Sequence, residues 1–188
     1  NNTAVGALSL ESNTVGTNNT AVGQASLFEN TIGSKSIAVG RGTLQNQNPT
    51  TATDMHNVAV GHEAGNDVTT GVRNTLIGSL AGDALTTGLR NVAVGFQALT
   101  TDTKGQRSVA IGHNALSVQN FTTATDSFNT AVGHEAGASV STGIQNTLIG
   151  SLAGDALTTG EENVAVGYNA LGSDDVGERS TAVGNGTL

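Results

Sequence analysis

Cysteine and tryptophan are absent from this chain, and proline, methionine and tyrosine each occur once. Without cysteine there is no disulfide framework and no thiolate chemistry. Aromatic residues make up only 3% of the 188, which does not suit a conventional globular core. Charge is also sparse: seven Lys and Arg against fifteen Asp and Glu leave a net charge of −8. The basic residues are scattered, so no phosphate-tracking patch forms and no nucleic-acid partner is expected. No run approaches the roughly eighteen apolar residues of a membrane span, so direct membrane insertion of this segment is not expected.

What is present is repetition. A five-residue motif of the form Asn-Val-Ala-Val-Gly recurs eleven times, ending at Gly6, Gly23, Gly40, Gly61, Gly78, Gly95, Gly112, Gly133, Gly150, Gly167 and Gly184. The steps between these glycines are 17 residues long, except for two of 21, and together they make a superperiod of 72. A fixed period of this length signals a solenoid or array, in which thin layers bury their apolar faces on one another. The chain therefore reads as one repetitive domain, 1–188, made of a partial block 1–56 and four-unit blocks 57–128 and 129–188. It opens inside a repeat and stops partway through another without a polar cap, so a piece of a longer fibre is expected.

Numbering each unit from its Asn or Ser, positions 2 and 4 are Thr, Val or Ile in every copy. β-Branched residues suit a pleated surface, so the motif predicts a short strand with these two positions on one face. Position 3 points the other way, and it is apolar too: Ala4, Ala21, Ala38, Ala59, Leu76, Ala93, Ala110, Ala131, Leu148, Ala165 and Ala182. A strand buried on both faces needs two partners and a narrow coil offers one interior. Position 3 is thus the expected contact with other chains. The eight Asn and three Ser at position 1 are expected to stack as a ladder between layers.

After the motif glycine, positions 6 and 7 vary as in a solvent-facing turn, whereas position 9 is Leu in seven copies and Gly in four, suggesting a second inward segment. Three residues before the next motif stand Gly16, Gly33, Gly71, Gly88, Gly105, Gly143, Gly160 and Gly177, or Asp54 and Asp126 in the two long steps. Positive φ is expected at all ten. The long connections, Gln45 to His56 and Ser117 to Phe128, are expected to bulge from the shaft. Solvated insertions are the plainer reading; as binding loops they would offer Asp54, Met55, Phe121 and Asp126 to a receptor.

No catalytic or metal site emerges, and no cofactor is expected. His62-Glu63 and His134-Glu135 lack the spacing of a zinc-binding helix, and the same turn position elsewhere holds Ser79, Phe96 or Asn185. A trimer gathering three such histidines around its axis is the one route to a metal ion. Calcium-binding glycine-aspartate repeats are absent. The 17-residue step does not match the hexapeptide period of trimeric acyltransferase helices, and no nucleophile and base can be assembled. Threonine pairs such as Thr69-Thr70 and Thr86-Thr87 are too often interrupted for an ice-binding array.

The runs Ser108-Val109-Ala110-Ile111-Gly112, Asn91-Val92-Ala93-Val94-Gly95 and Ser36-Ile37-Ala38-Val39-Gly40 resemble the head repeats of YadA-type trimeric autotransporter adhesins. With the trailing Ala98-Leu99 and Ala170-Leu171, they are also similar to arrays in bacteriophage tail fibres and related mosaic fibres. The resemblance covers the whole chain. It implies an all-β fold, a left-handed parallel β-roll or β-solenoid with one coil per 17–21 residue repeat, assembled as a homotrimeric fibre segment. It also implies an extracellular location on a bacterial surface and adhesion to a cell-surface, matrix or glycan receptor, without catalysis. The alternative is the shaft of a tail fibre. The units here are longer than those of the adhesin heads.

Overall fold

A computed structural model describes residues 1–188 and contains β-strands but no helix. The strands are β1 (Thr3–Val5), β2 (Thr20–Val22), β3 (Ile37–Val39), β4 (Val58–Val60), β5 (Thr75–Ile77), β6 (Val92–Val94), β7 (Gly105–Gln106), β8 (Val109–Ile111), β9 (Thr125–Asp126), β10 (Thr130–Val132), β11 (Thr147–Ile149), β12 (Val164–Val166) and β13 (Thr181–Val183). Eleven of them, all except β7 and β9, form one sheet in chain order. Every pairing is parallel and in register, as Val58↔Thr75, Ala59↔Leu76 and Val60↔Ile77 show. Each repeat therefore climbs one coil, and the chain is a parallel β-solenoid of eleven turns.

The motif glycines end the strands. Their φ values run from 124° at Gly6 to 144° at Gly133, a region open to glycine alone. A Cβ on Gly95 would also collide with the backbone of Gly112 in the next coil. Two and four residues later the chain is again left-handed, as at Gln97 (φ 54°) and Leu99 (φ 55°). These reversals aim successive N–H groups along the axis in opposite directions: Gln97 donates back to Ser79 at 3.1 Å, and Leu99 forward to Ala115 at 3.0 Å. Backbone groups outside the short strands are thereby satisfied by adjacent coils.

The expected positive φ at the second glycine series is not found. Gly16, Gly33, Gly71, Gly88, Gly105, Gly143, Gly160 and Gly177 are not left-handed, nor are Asp54 and Asp126. The left-handed residue lies two positions further on in every unit, at Asn18, Lys35, His56, Arg73, Arg90, Arg107, Phe128, Gln145, Glu162 and Arg179. Glycine is required for closeness instead: a Cβ on Gly71 would strike the carbonyl oxygen of Gly88 in the coil above.

The faces of the strand are also reversed from expectation. Ala21, Ala38, Ala59, Leu76, Ala93, Ala110, Ala131, Leu148 and Ala165 are fully buried inside the single chain, and Ala182 is nearly so. Ala4, on the first strand of the sheet, is exposed. Position 3 therefore faces the coil's own interior, where it is a methyl group in most layers and a leucine at Leu76 and Leu148. Position 3 is not the surface offered to other chains.

Those leucines come from either of two places. In coils with Leu27, Leu44, Leu99 or Leu116 at position 9, position 12 is polar, namely Asn30, Gln47, Asp102 and Gln119. Where position 9 is Gly65, Gly82, Gly137 or Gly154, position 12 becomes Val68, Leu85, Val140 or Leu157, all buried. Positions 9 and 12 together thus supply one branched side chain per layer, and Leu76 and Leu148 at position 3 add a second beside the glycines.

Position 1 stitches the layers chiefly through backbone groups, with one direct amide-to-amide bond from Asn163 Nδ2 to Asn146 Oδ1 at 3.0 Å. Asn91 Nδ2 donates to the Gly105 carbonyl at 2.8 Å and its Oδ1 accepts from the Ser108 N–H at 2.9 Å, both in the next coil. Asn57, Asn74, Asn129 and Asn146 repeat the pair of bonds. The shorter Ser36 and Ser108 instead engage the buried amides of Gln47 and Gln119, at 3.1 and 2.8 Å.

Candidate functional site

No pocket indents the rod, so contacts with other molecules fall on flat or convex surfaces. Three surfaces differ from a plain solvated shaft: the outer face of the sheet, the two long loops, and the column of turn residues at position 6.

The outer sheet face is built by positions 2 and 4, the β-branched series. Ile77 is 39% exposed, Ile111 37% and Ile149 40%, and Val22, Val39, Val58, Val92, Val94, Val109, Val132, Val164 and Val166 are half-buried beside them. Thr20, Thr75, Thr130 and Thr147 interrupt the aliphatic rows without introducing charge. The result is an uncharged apolar strip running the length of the eleven-stranded sheet. Contiguous exposed apolar surface of this kind is characteristic of a contact face.

In the long loops two of the four residues expected to meet a receptor are buried: Met55 at 0% exposure and Phe121 at 7%. Their bases are pinned to the previous coil. Ser34 bridges Asp54, and β7 pairs with β9, forming a second short ladder. Phe121 is held by its N–H to the Asp102 carboxylate at 3.1 Å and by its carbonyl to the Lys104 N–H at 3.0 Å. Asp54 and Asp126 do remain exposed, paired with Lys35 and Arg107. The Lys35 hydrogen bond holds the Asp54 carboxyl below its ordinary value. Arg107 also lies over the Phe128 ring, 5.5 Å from its centre. What projects is the tip of each loop, Thr51-Ala52 and Thr122-Thr123-Ala124, which overlaps the Thr-Ala-Thr-Asp run of each long connection.

The buried polar groups sort by their neighbours. Asp102 is fully buried, and burial pushes its carboxyl up despite hydrogen bonds from Gln119 Nε2 at 2.7 Å and the Gly105 N–H at 2.9 Å. Burial likewise raises Asp83, which Thr100 of the next coil satisfies at 2.5 Å. At the matching place one block later, Asp155 Oδ1 is buried without a partner. The next coil there offers Gly172, with no hydroxyl, in place of Thr100.

At position 6, Phe96, His113 and His134 stack in successive coils. The ring centres of Phe96 and His113 are 5.5 Å apart, and those of the two imidazoles 5.1 Å. His134 and Glu135, side by side in sequence, place Nε2 and Oε1 3.8 Å apart. Reading the sequence as separate turns missed this assembly, whose signal was the recurrence of histidine at one position across a 21-residue step. No family model, no curated protein and no solved structure matches the chain.

Proposed function

We propose that this chain is a stiff segment of a homotrimeric extracellular fibre, serving adhesion or receptor binding on a bacterial surface, with a left-handed wind and without catalysis. The observation that carries the reading is the uncharged β-branched strip on the outer sheet face. Covering it is favourable, because each of these partly exposed side chains stands to gain a fraction of the about 1.5–3 kcal/mol that full burial contributes. A second and third copy of the same chain offer an identical strip with the same 17-residue spacing, so layers can match layers along the whole rod. Eleven coils at about 4.8 Å make a rod of roughly 50 Å.

Adhesion in this reading falls to the loop tips at Thr51-Ala52 and Thr122–Ala124, which break the regular surface. The resemblance of the motif to tail-fibre arrays supports a second reading, in which the segment is a shaft and recognition lies in another domain.

The test is the solution mass by light scattering over a range of concentrations. Three times the chain's 18.7 kDa is expected. A folded monomer that persists at high concentration would overturn the trimer.

A further inference from the structure

We propose that His113, His134 and Glu135 form a surface site for a divalent transition-metal ion of the zinc class. The ligand atoms of the three side chains all lie within 4.8 Å of one another. The two imidazoles come from the seventh and eighth coils and are stacked almost parallel, at 7°. The Glu135 N–H donates to the His113 carbonyl at 2.8 Å, so the backbone already holds the two coils in register beneath the site. Phe96 backs His113 from the sixth coil.

Zinc takes imidazole nitrogen at about 2.0–2.1 Å and carboxylate oxygen at about 2.0–2.2 Å, which sets neighbouring ligand atoms roughly 3.3 Å apart. Binding draws the three groups in to that spacing from 4.8 Å or less, and His134 Nε2 and Glu135 Oε1 already stand 3.8 Å apart. Two nitrogens and one oxygen select zinc, nickel or copper over calcium or magnesium, and a water completes the tetrahedron.

An internal comparison supports the site independently. One superperiod earlier, His62 and Glu63 stand where His134 and Glu135 stand, but Arg41 occupies the place of His113. There the Arg41 Nη1 lies 3.1 Å from His62 Nε2 and 2.6 Å from Glu63 Oε1. The same histidine and carboxylate thus already gather around a positive charge supplied by the chain. Exchanging that guanidinium for His113 removes the cation and adds a ligand. The later block is left with two imidazoles and a carboxylate clustered without the chain's own cation.

The experiment titrates the full chain with Zn2+ at neutral pH against a competing colour indicator. One ion per chain is expected. His113→Arg copies the arrangement around Arg41, so it preserves the fold, verified by an unchanged melting curve, and is expected to abolish binding. His134→Ala removes a direct ligand and is likewise expected to abolish binding. His62→Ala is expected to leave it unchanged. Failure of the wild-type chain to bind, or binding that survives His113→Arg, would overturn the site. None of these outcomes depends on whether the chain is a trimer.

Discussion

Leu76 fills the space that a side chain on Gly65 would need: its Cδ1 lies 2.6 Å from the point where a Gly65 Cβ would stand. The two residues belong to adjacent coils and divide one layer of core between them. Leu76→Ala is expected to destabilise the chain by about 2–5 kcal/mol, because the glycines beside it cannot close the cavity. Gly65→Leu alone is expected to destabilise through collision, although Leu44 and Leu99 occupy that turn position at similar φ. Combining the two changes should recover about 1 kcal/mol or more relative to their sum. Additive denaturation midpoints would show that the two sites do not share a layer.

Asn91→Ala is expected to strand the Gly105 carbonyl and the Ser108 N–H, both of which its amide satisfies. Each buried orphan costs about 1–3 kcal/mol, so the urea midpoint should drop substantially. Replacement of the exposed Asn185 serves as the control and should leave the midpoint where it was. Equal midpoints for the two variants would remove the bridging role.

Asp102 gives a pH dependence of definite sign. Its folded-state carboxyl is raised above 3.8 by burial, so the folded chain binds a proton more readily than the unfolded chain. The associated stability is fully present below pH 3.8 and is lost as pH rises through the raised value. Asp102→Asn removes this titration. The wild-type chain should therefore gain stability relative to the variant on acidification, measured as the difference in melting temperature across pH 7 to pH 3. A difference independent of pH would contradict the buried, ionisable character of Asp102.

Ile77→Glu places a carboxylate on the outer strip, where it would meet a copy of the chain in the proposed trimer. The variant is expected to fold with the wild-type circular dichroism spectrum and to sediment as a monomer. A stable trimer carrying this glutamate would move the assembly face elsewhere. Ala93→Glu, by contrast, should unfold the coil itself, since Ala93 has no exposure.

The strands were legible because β-branched residues at positions 2 and 4 and glycine at position 5 recur at fixed spacing. Which face points inward was not, because both faces are apolar and hydrophobicity alone does not distinguish a core from a contact surface. Size carried the missing information. Ala93 is small because Leu99 from the opposite side of the coil already fills its layer, and in the coil of Ala59 the exchange of that leucine for Gly65 with Val68 recorded the same compensation in the sequence. The second glycine series misled for a related reason. Gly71 answers to the approach of Gly88, a contact between coils that a local reading of turn residues does not contain. The histidine column was hidden in the same way, since its members touch only once the coils are stacked.

The bonds from the position 1 asparagines to backbone groups always reach from one coil to the next, never back. A coil boundary thus presents unserved amide groups on one side and unserved backbone groups on the other, and these are the same at nearly every boundary. Whole units can be spliced in or out by recombination and the cut ends will mate, whereas a cut within a unit leaves polar groups stranded. Length is thereby a quantity the gene can adjust in discrete steps. The identical runs Asn74–Gly88 and Asn146–Gly160 have the form such a duplication would leave.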